Sequence, residues 1–126
     1  MTRINTVPPK DLNNQHLLKE YKDIKRPVEL AIRSFNNIGI HGIKQIQPDR
    51  YRFDTNHVLF FYDKLRYLYN RFKDITEEMR NRDMNPTETF DYFEIPIDLF
   101  NDWEPTEFDI ESNKSELLYD SVWWLP

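Results

Sequence analysis

Seven apolar residues, Val58, Phe61, Leu65, Leu68, Phe72, Ile75 and Met79, follow one another at alternating steps of three and four. That spacing lines one face of an α-helix, whereas a strand presents alternate residues to one side. It predicts a helix from about His57 to Arg82, with His57 as its cap and the aromatics after it in the core. A helix with an apolar stripe needs a partner to cover it. The segment opening at Asp11 to Asn13, both good N-caps, supplies one. Its stripe is Leu17, Tyr21, Ile24, Val28, Ala31, Ile32 and Phe35. Pro27 interrupts this stripe by removing an amide donor and crowding the preceding turn. The expectation is a kink, or two helices meeting near residues 25–27, with Gly39 and Gly42 ending the segment. Residues 43–56 read as a loop, and residues 83–105, with Pro86, Pro96 and Pro105, as a long connection. A last helix is predicted from Thr106, with Asp109 three residues on as in a capping box, to about Tyr119. No run reads as a strand. The expected fold is all-α: a single compact domain over residues 1–126, three main helices joined by long loops.

Several function classes are excluded. Two glycines in 126 residues leave no room for a Gly-rich phosphate loop. The absence of cysteine removes disulfides and thiolate zinc sites and suits an intracellular compartment. No stretch approaches the length of a membrane span, and the first residues lack the apolar run of a signal peptide. Charge is unevenly spread. Residues 1–82 hold 16 Lys and Arg against 10 Asp and Glu, a balance of +6; residues 83–126 hold one Lys against 12 acids, a balance of −11. The basic part suits phosphates, while the acidic part repels them, or covers the basic part, or meets a basic protein.

Three features carry possible chemistry. Thr2 is small enough for the initiator Met1 to be removed, which frees an α-amine with a reference pKa of about 7.7–8.0. Such an amine is partly neutral near pH 7.5 and attacks electrophilic carbon. The bland reading is a chain end and nothing more. His16, Glu20, Asp23 and Arg26 follow at steps of four, three and three, close to one helix face. Asp23 can sit beside a cationic intermediate, and Lys22 and Arg26 can grip phosphates; the bland reading is a solvated face with charge pairs. His16 and Glu20 have no second pair to complete a metal site. Trp123 and Trp124 either stack on bases or pack on the core.

The combination is more specific than its parts. The start Met1-Thr2-Arg3-Ile4-Asn5, the stretch Gln15-His16-Leu17-Leu18-Lys19-Glu20-Tyr21, the block His57-Val58-Leu59-Phe60-Phe61-Tyr62-Asp63-Lys64 and the run Asn101-Asp102-Trp103-Glu104-Pro105-Thr106-Glu107 together resemble the pyrimidine-dimer DNA glycosylases of the phage endonuclease V type. The resemblance implies a virus- or phage-encoded enzyme acting on damaged double-stranded DNA without metal or organic cofactor. It implies Thr2 as nucleophile and a carboxylate on the first helix, here Asp23, as its catalytic partner. It implies DNA contacts from Arg3, His16, Lys22, Arg26, Lys64, Trp123 and Trp124.

Three positions depart from that family's pattern. Asp23 stands where the family has Glu, a reach shorter by about 1.5 Å; Lys22 stands where Arg is usual, losing the planar fork. Lys114 is the one Lys or Arg after residue 82, where the family carries several basic residues. An alternative is therefore a non-catalytic member whose acidic third binds a basic protein or mimics DNA. An unrelated helical interaction module is a third reading.

Overall fold

A computed structural model describes the backbone of residues 2–123 and the side chains of residues 2–119. Four α-helices occur among them: α1 (Asn14–Asp23), α2 (Lys25–Ile46), α3 (Leu65–Asn81) and α4 (Glu107–Trp123), with 3₁₀ turns at Pro9–Asp11, Leu59–Phe61 and Ile97–Leu99. There is no strand among the described residues. The all-α reading holds: α2, α3 and α4 are the three main helices, and α1 is the short first part of the segment expected to bend.

The bend falls where proline chemistry puts it. α1 starts at Asn13, whose side chain accepts the His16 amide at 2.8 Å. Ile24 separates α1 from α2, so Pro27 lies in the first turn of α2, where its missing N–H leaves no bond unmade. The glycines do not end the segment. Gly39 breaks the helix with φ 70° and ψ 179°, and the helix then resumes to Ile46. The resumed turns bury Ile43 and bring Lys44 and Gln47 to Asp63, which a loop over 43–46 would not do.

The α3 stripe is correct in its pattern, but its start is not His57. Residues 58–64 turn through i→i+3 bonds, Phe61 N to Val58 O at 3.0 Å and Lys64 N to Phe61 O at 2.9 Å. Phe60, Phe61, Tyr62 and Asp63 are all buried in succession, and a one-sided α-helix cannot bury four consecutive side chains; a tighter irregular turn can. From Leu65 onward the stripe of Leu65, Leu68, Phe72, Ile75 and Met79 is buried against Leu17, Tyr21, Ile24, Val28 and Ala31. Tyr21 and Phe72 stack at 5.9 Å.

The long connection is tied down. Asp83, at φ 59°, closes α3 while Met84 N returns to Met79 O at 2.8 Å. The Tyr21 hydroxyl accepts the Thr87 and Glu88 amides, and Leu99 is fully buried. α4 opens with the expected capping box: the Thr106 amide donates to Asp109 Oδ2 at 2.9 Å and the Asp109 amide to Thr106 Oγ1 at 3.1 Å. It continues past Tyr119 to Trp123.

Candidate active site

Residues 4–7 belong to no helix or sheet, yet all four are buried. Buried backbone groups must find partners, and here side chains supply them. The Ile4 amide donates to His57 Nε2 at 2.9 Å, and its carbonyl accepts the Tyr51 hydroxyl at 2.7 Å. The Asn5 amide donates to Glu20 at 3.2 Å, and its carbonyl accepts the Tyr67 hydroxyl at 3.0 Å. The Thr6 and Val7 amides share Asn113 Oδ1 at 2.7 and 3.0 Å, and the Val7 carbonyl accepts Arg71 at 2.7 Å. This irregular segment is held from α1, α3, α4 and the 51–57 loop at once.

Two of these anchors are charged. Arg71 forks onto Glu20 with Nε and Nη2 at 2.8 and 2.9 Å, and the two side chains are 6% and 1% exposed. Burial disfavours the Arg71 charge, but the adjacent Glu20 more than compensates and raises its pKa. Burial also depresses the His57 pKa, against the pull of its bond to the Arg52 carbonyl, and Arg3 depresses it further. A neutral His57 with its proton on Nδ1 donates to that carbonyl at 2.7 Å and accepts from Ile4 at Nε2. Burial pushes the Tyr51 and Tyr67 phenols up, so both stay hydroxyl donors.

The singled-out residues distribute as follows. Thr2 and Arg3 are half-buried at the head of the anchored segment, with the Arg3 guanidinium 5.9 Å from the centre of the Phe53 ring. Glu20, expected on a solvated face, is instead buried against Asn5. Asp23 lies one turn further along α1, a rise of about 4.5 Å, half-buried and paired with Lys19 at 2.8 Å. Three extended residues reach at most about 10–11 Å, so Thr2 lies within that radius of Asn5. His16 is half-buried on α1; Lys22 and Arg26 are exposed at the α1–α2 junction. Lys64 faces inward: its ammonium meets Asp63 and the Phe60 carbonyl and lies 4.0 Å from the Phe60 ring centre. Asp63, which burial alone would raise, is held at about 2 by hydrogen bonds from Lys44, Gln47 and Lys64. The Trp123 side chain and Trp124 lie outside the described residues. No three His, Cys, Asp or Glu side chains gather as a metal site among the described residues, and no helix among them is long and apolar enough to cross a membrane. Beside the anchored end, an open cleft of about 500 Å³ separates Arg50, Arg52 and Phe53 from Phe108, Ser112 and Glu116 of α4.

The anchors His57, Tyr51, Tyr67, Arg71 and Asn113 were not singled out as site residues. A signal existed for two of them: Arg71 falls between Leu68 and Phe72 on α3, and Asn113 between Ile110 and Leu117 on α4, polar groups at positions facing the core. His57, read as a helix cap, instead accepts from the backbone 53 residues earlier. The sequence model of pyrimidine dimer DNA glycosylase matches residues 1–92.

Proposed function

This chain belongs to the pyrimidine dimer DNA glycosylase family, and from that premise we propose that the α-amine of Thr2, freed by loss of Met1, is the nucleophile on damaged duplex DNA. The amine attacks C1′ of the damaged nucleotide as the glycosidic bond breaks and its electron pair leaves with the base. The nitrogen loses a proton, the sugar ring opens and an imine results. Removal of a C2′ proton then expels the 3′ phosphate by β-elimination, which makes the protein an AP lyase as well. Asp23 stabilises the cationic species and relays these protons. Arg3, His16, Lys22 and Arg26 contact the DNA, with Trp123 and Trp124 as stacking partners; Lys64 joins them only by leaving Asp63. No metal or organic cofactor enters, and an intracellular, phage- or virus-encoded role fits this chemistry.

The observation that carries the reading is the anchoring of Ile4–Val7: seven backbone groups on four residues are held by side chains from four parts of the fold. Precision of that kind at a chain end suits an end that reacts, because a misplacement of about 1 Å costs on the order of 10²-fold in rate. The test is borohydride trapping at low salt on a duplex with one defined pyrimidine dimer, with an abasic duplex alongside. The expected result is a covalent adduct on both, lost when the Thr2 amine is blocked. Adduct on the abasic duplex alone would narrow the function to lyase chemistry. No adduct on either, from protein shown by mass to begin at Thr2, would favour the second reading, a non-catalytic member binding a basic protein, which the −11 balance of residues 83–126 supports.

A further inference from the structure

Asn113 is fully buried near the middle of α4, between Ile110 and Leu117, and lies beyond the residues that the family match covers. Its Oδ1 accepts two successive amides, Thr6 at 2.7 Å and Val7 at 3.0 Å. Its Nδ2 donates to Asn5 Oδ1 at 2.8 Å. Asn5 passes the link on, donating from Nδ2 to Glu20 Oε1 at 2.7 Å, and Glu20 is in turn forked by Arg71. An amide side chain supplies both an acceptor with two lone pairs and a donor; neither a carboxylate nor an apolar group of the same size makes all these bonds.

We infer that Asn113 is a positioning residue for the Thr2 amine, and that the acidic α4 is thereby part of the reactive end. The inference rests on the imine reading above. Asn113 touches no substrate. It fixes residues 5–7, and through them the position of Thr2 three residues before Asn5. Without it, the Thr6 and Val7 amides are buried and unpaired, and the α4 side is left with the longer bond from Thr6 Oγ1 to the Asp109 carbonyl at 3.4 Å, while Glu20, Tyr67, His57 and Arg71 still hold the other. A purely structural asparagine would cost stability but leave the folded protein's reaction rate intact. A positioning residue changes that rate below the melting temperature.

The experiment compares full-length wild type with N113L, which keeps the branching of the side chain but is bulkier and makes none of these bonds, and N113D, which keeps the acceptor but loses the donor to Asn5. N5A cuts the same link from its other end and serves where a position-113 variant does not fold. At a temperature where each compared protein is folded, amide hydrogen exchange is read at residues 4–7 and single-turnover borohydride trapping is read on saturating abasic duplex. The expected result for N113L is exchange at Thr6 and Val7 at least about tenfold faster relative to α3 amides, with trapping about 10- to 100-fold slower at unchanged DNA affinity. N113D is expected to recover part of the rate. Unchanged exchange at residues 4–7, or wild-type trapping by N113L despite faster exchange, would overturn the inference while leaving the imine reading intact. A wild type that forms no adduct overturns that reading, and the inference with it, so the two failures are distinct.

Discussion

Glu20 and Asp23 stand one turn apart on α1 and have opposite surroundings. Both Glu20 oxygens are taken by Arg71 and Asn5 in a dry interior, which leaves it no freedom to move protons. Asp23 is half-buried and paired with the exposed Lys19, a partner that the cationic intermediate of the proposed mechanism would displace. The two carboxylates should therefore respond differently to loss of charge. D23N is expected to keep the fold and DNA affinity while slowing single-turnover trapping by about 10²–10⁴-fold; a rate near wild type would remove Asp23 from the mechanism. R71M leaves Glu20 buried without its cation and is expected to cost about 3–5 kcal/mol in urea denaturation. His57 adds a pH dependence. Its folded pKa lies below the ordinary 6.5 because burial disfavours the cation, so the unfolded chain binds the proton more readily. The stability tied to neutral His57 is complete above about pH 6.5 and falls as pH drops below it, with a slope of up to about 1.4 kcal/mol per unit for one proton. Stability curves from pH 7.5 to 5 for wild type and H57F check this, the variant being expected to lose that slope. Sequence spacing put Glu20 and Asp23 on one face because it asks only which residues share a face. It did not reveal that Glu20 pairs with a residue 51 positions away, since that depends on how α1 and α3 meet.

At the scale of elements, local rules were legible wherever the chemistry was local. The Asn13 cap, the Thr106–Asp109 box and the helix junction beside Pro27 each involve residues within four of one another. The start of α3 was not legible, because the apolar period runs unbroken from Val58 through a stretch where burial of four neighbouring side chains forces a 3₁₀ turn. Nor was the second half of α2, since a glycine that ends one helix can also join two. Gly39, at φ 70° and ψ 179°, sits where side-chain-bearing residues are almost never found. A Cβ there would meet open space, so strain in the backbone, and not collision, is the cost. G39A is expected to destabilise by about 1–3 kcal/mol, read as a lowered urea midpoint with unchanged slope. No loss of stability would mean that the break relaxes without cost and that the Lys44 and Gln47 contacts to Asp63 do not depend on it.

Across the whole molecule, the +6 and −11 halves are not kept apart in space. Glu88 of the acidic connection pairs with Lys25 at the start of α2, and Asn113 of the acidic helix grips the N-terminal segment. Much of the basic charge is also already engaged internally, Lys44 and Lys64 by Asp63, Arg71 by Glu20 and Arg82 by Glu78. Among the described residues, Lys22 and Arg26 are exposed and make no ion pair, as is also true of Lys10, Arg33, Arg50, Arg66, Lys73 and Arg80. The proposed site uses only those at the α1–α2 junction, and on that reading the phosphate footprint is short and centred there. Each phosphate neutralised contributes about −0.9 to the slope of log affinity against log salt. Contacts by Arg3, Lys22 and Arg26 thus predict a slope of about −3, with weak undamaged-DNA binding because the acidic surface repels the duplex beyond that patch. Fluorescence anisotropy on a dimer-bearing duplex between 50 and 200 mM salt gives the wild-type slope. K22A is expected to reduce its magnitude by about 1 and to weaken damaged and undamaged duplexes alike, as the loss of a phosphate contact should. A steeper wild-type slope would mean that the footprint extends beyond these three cations. An unchanged slope in K22A would take the junction out of the binding face and leave the cleft beside Arg50 and Arg52 as the place to look.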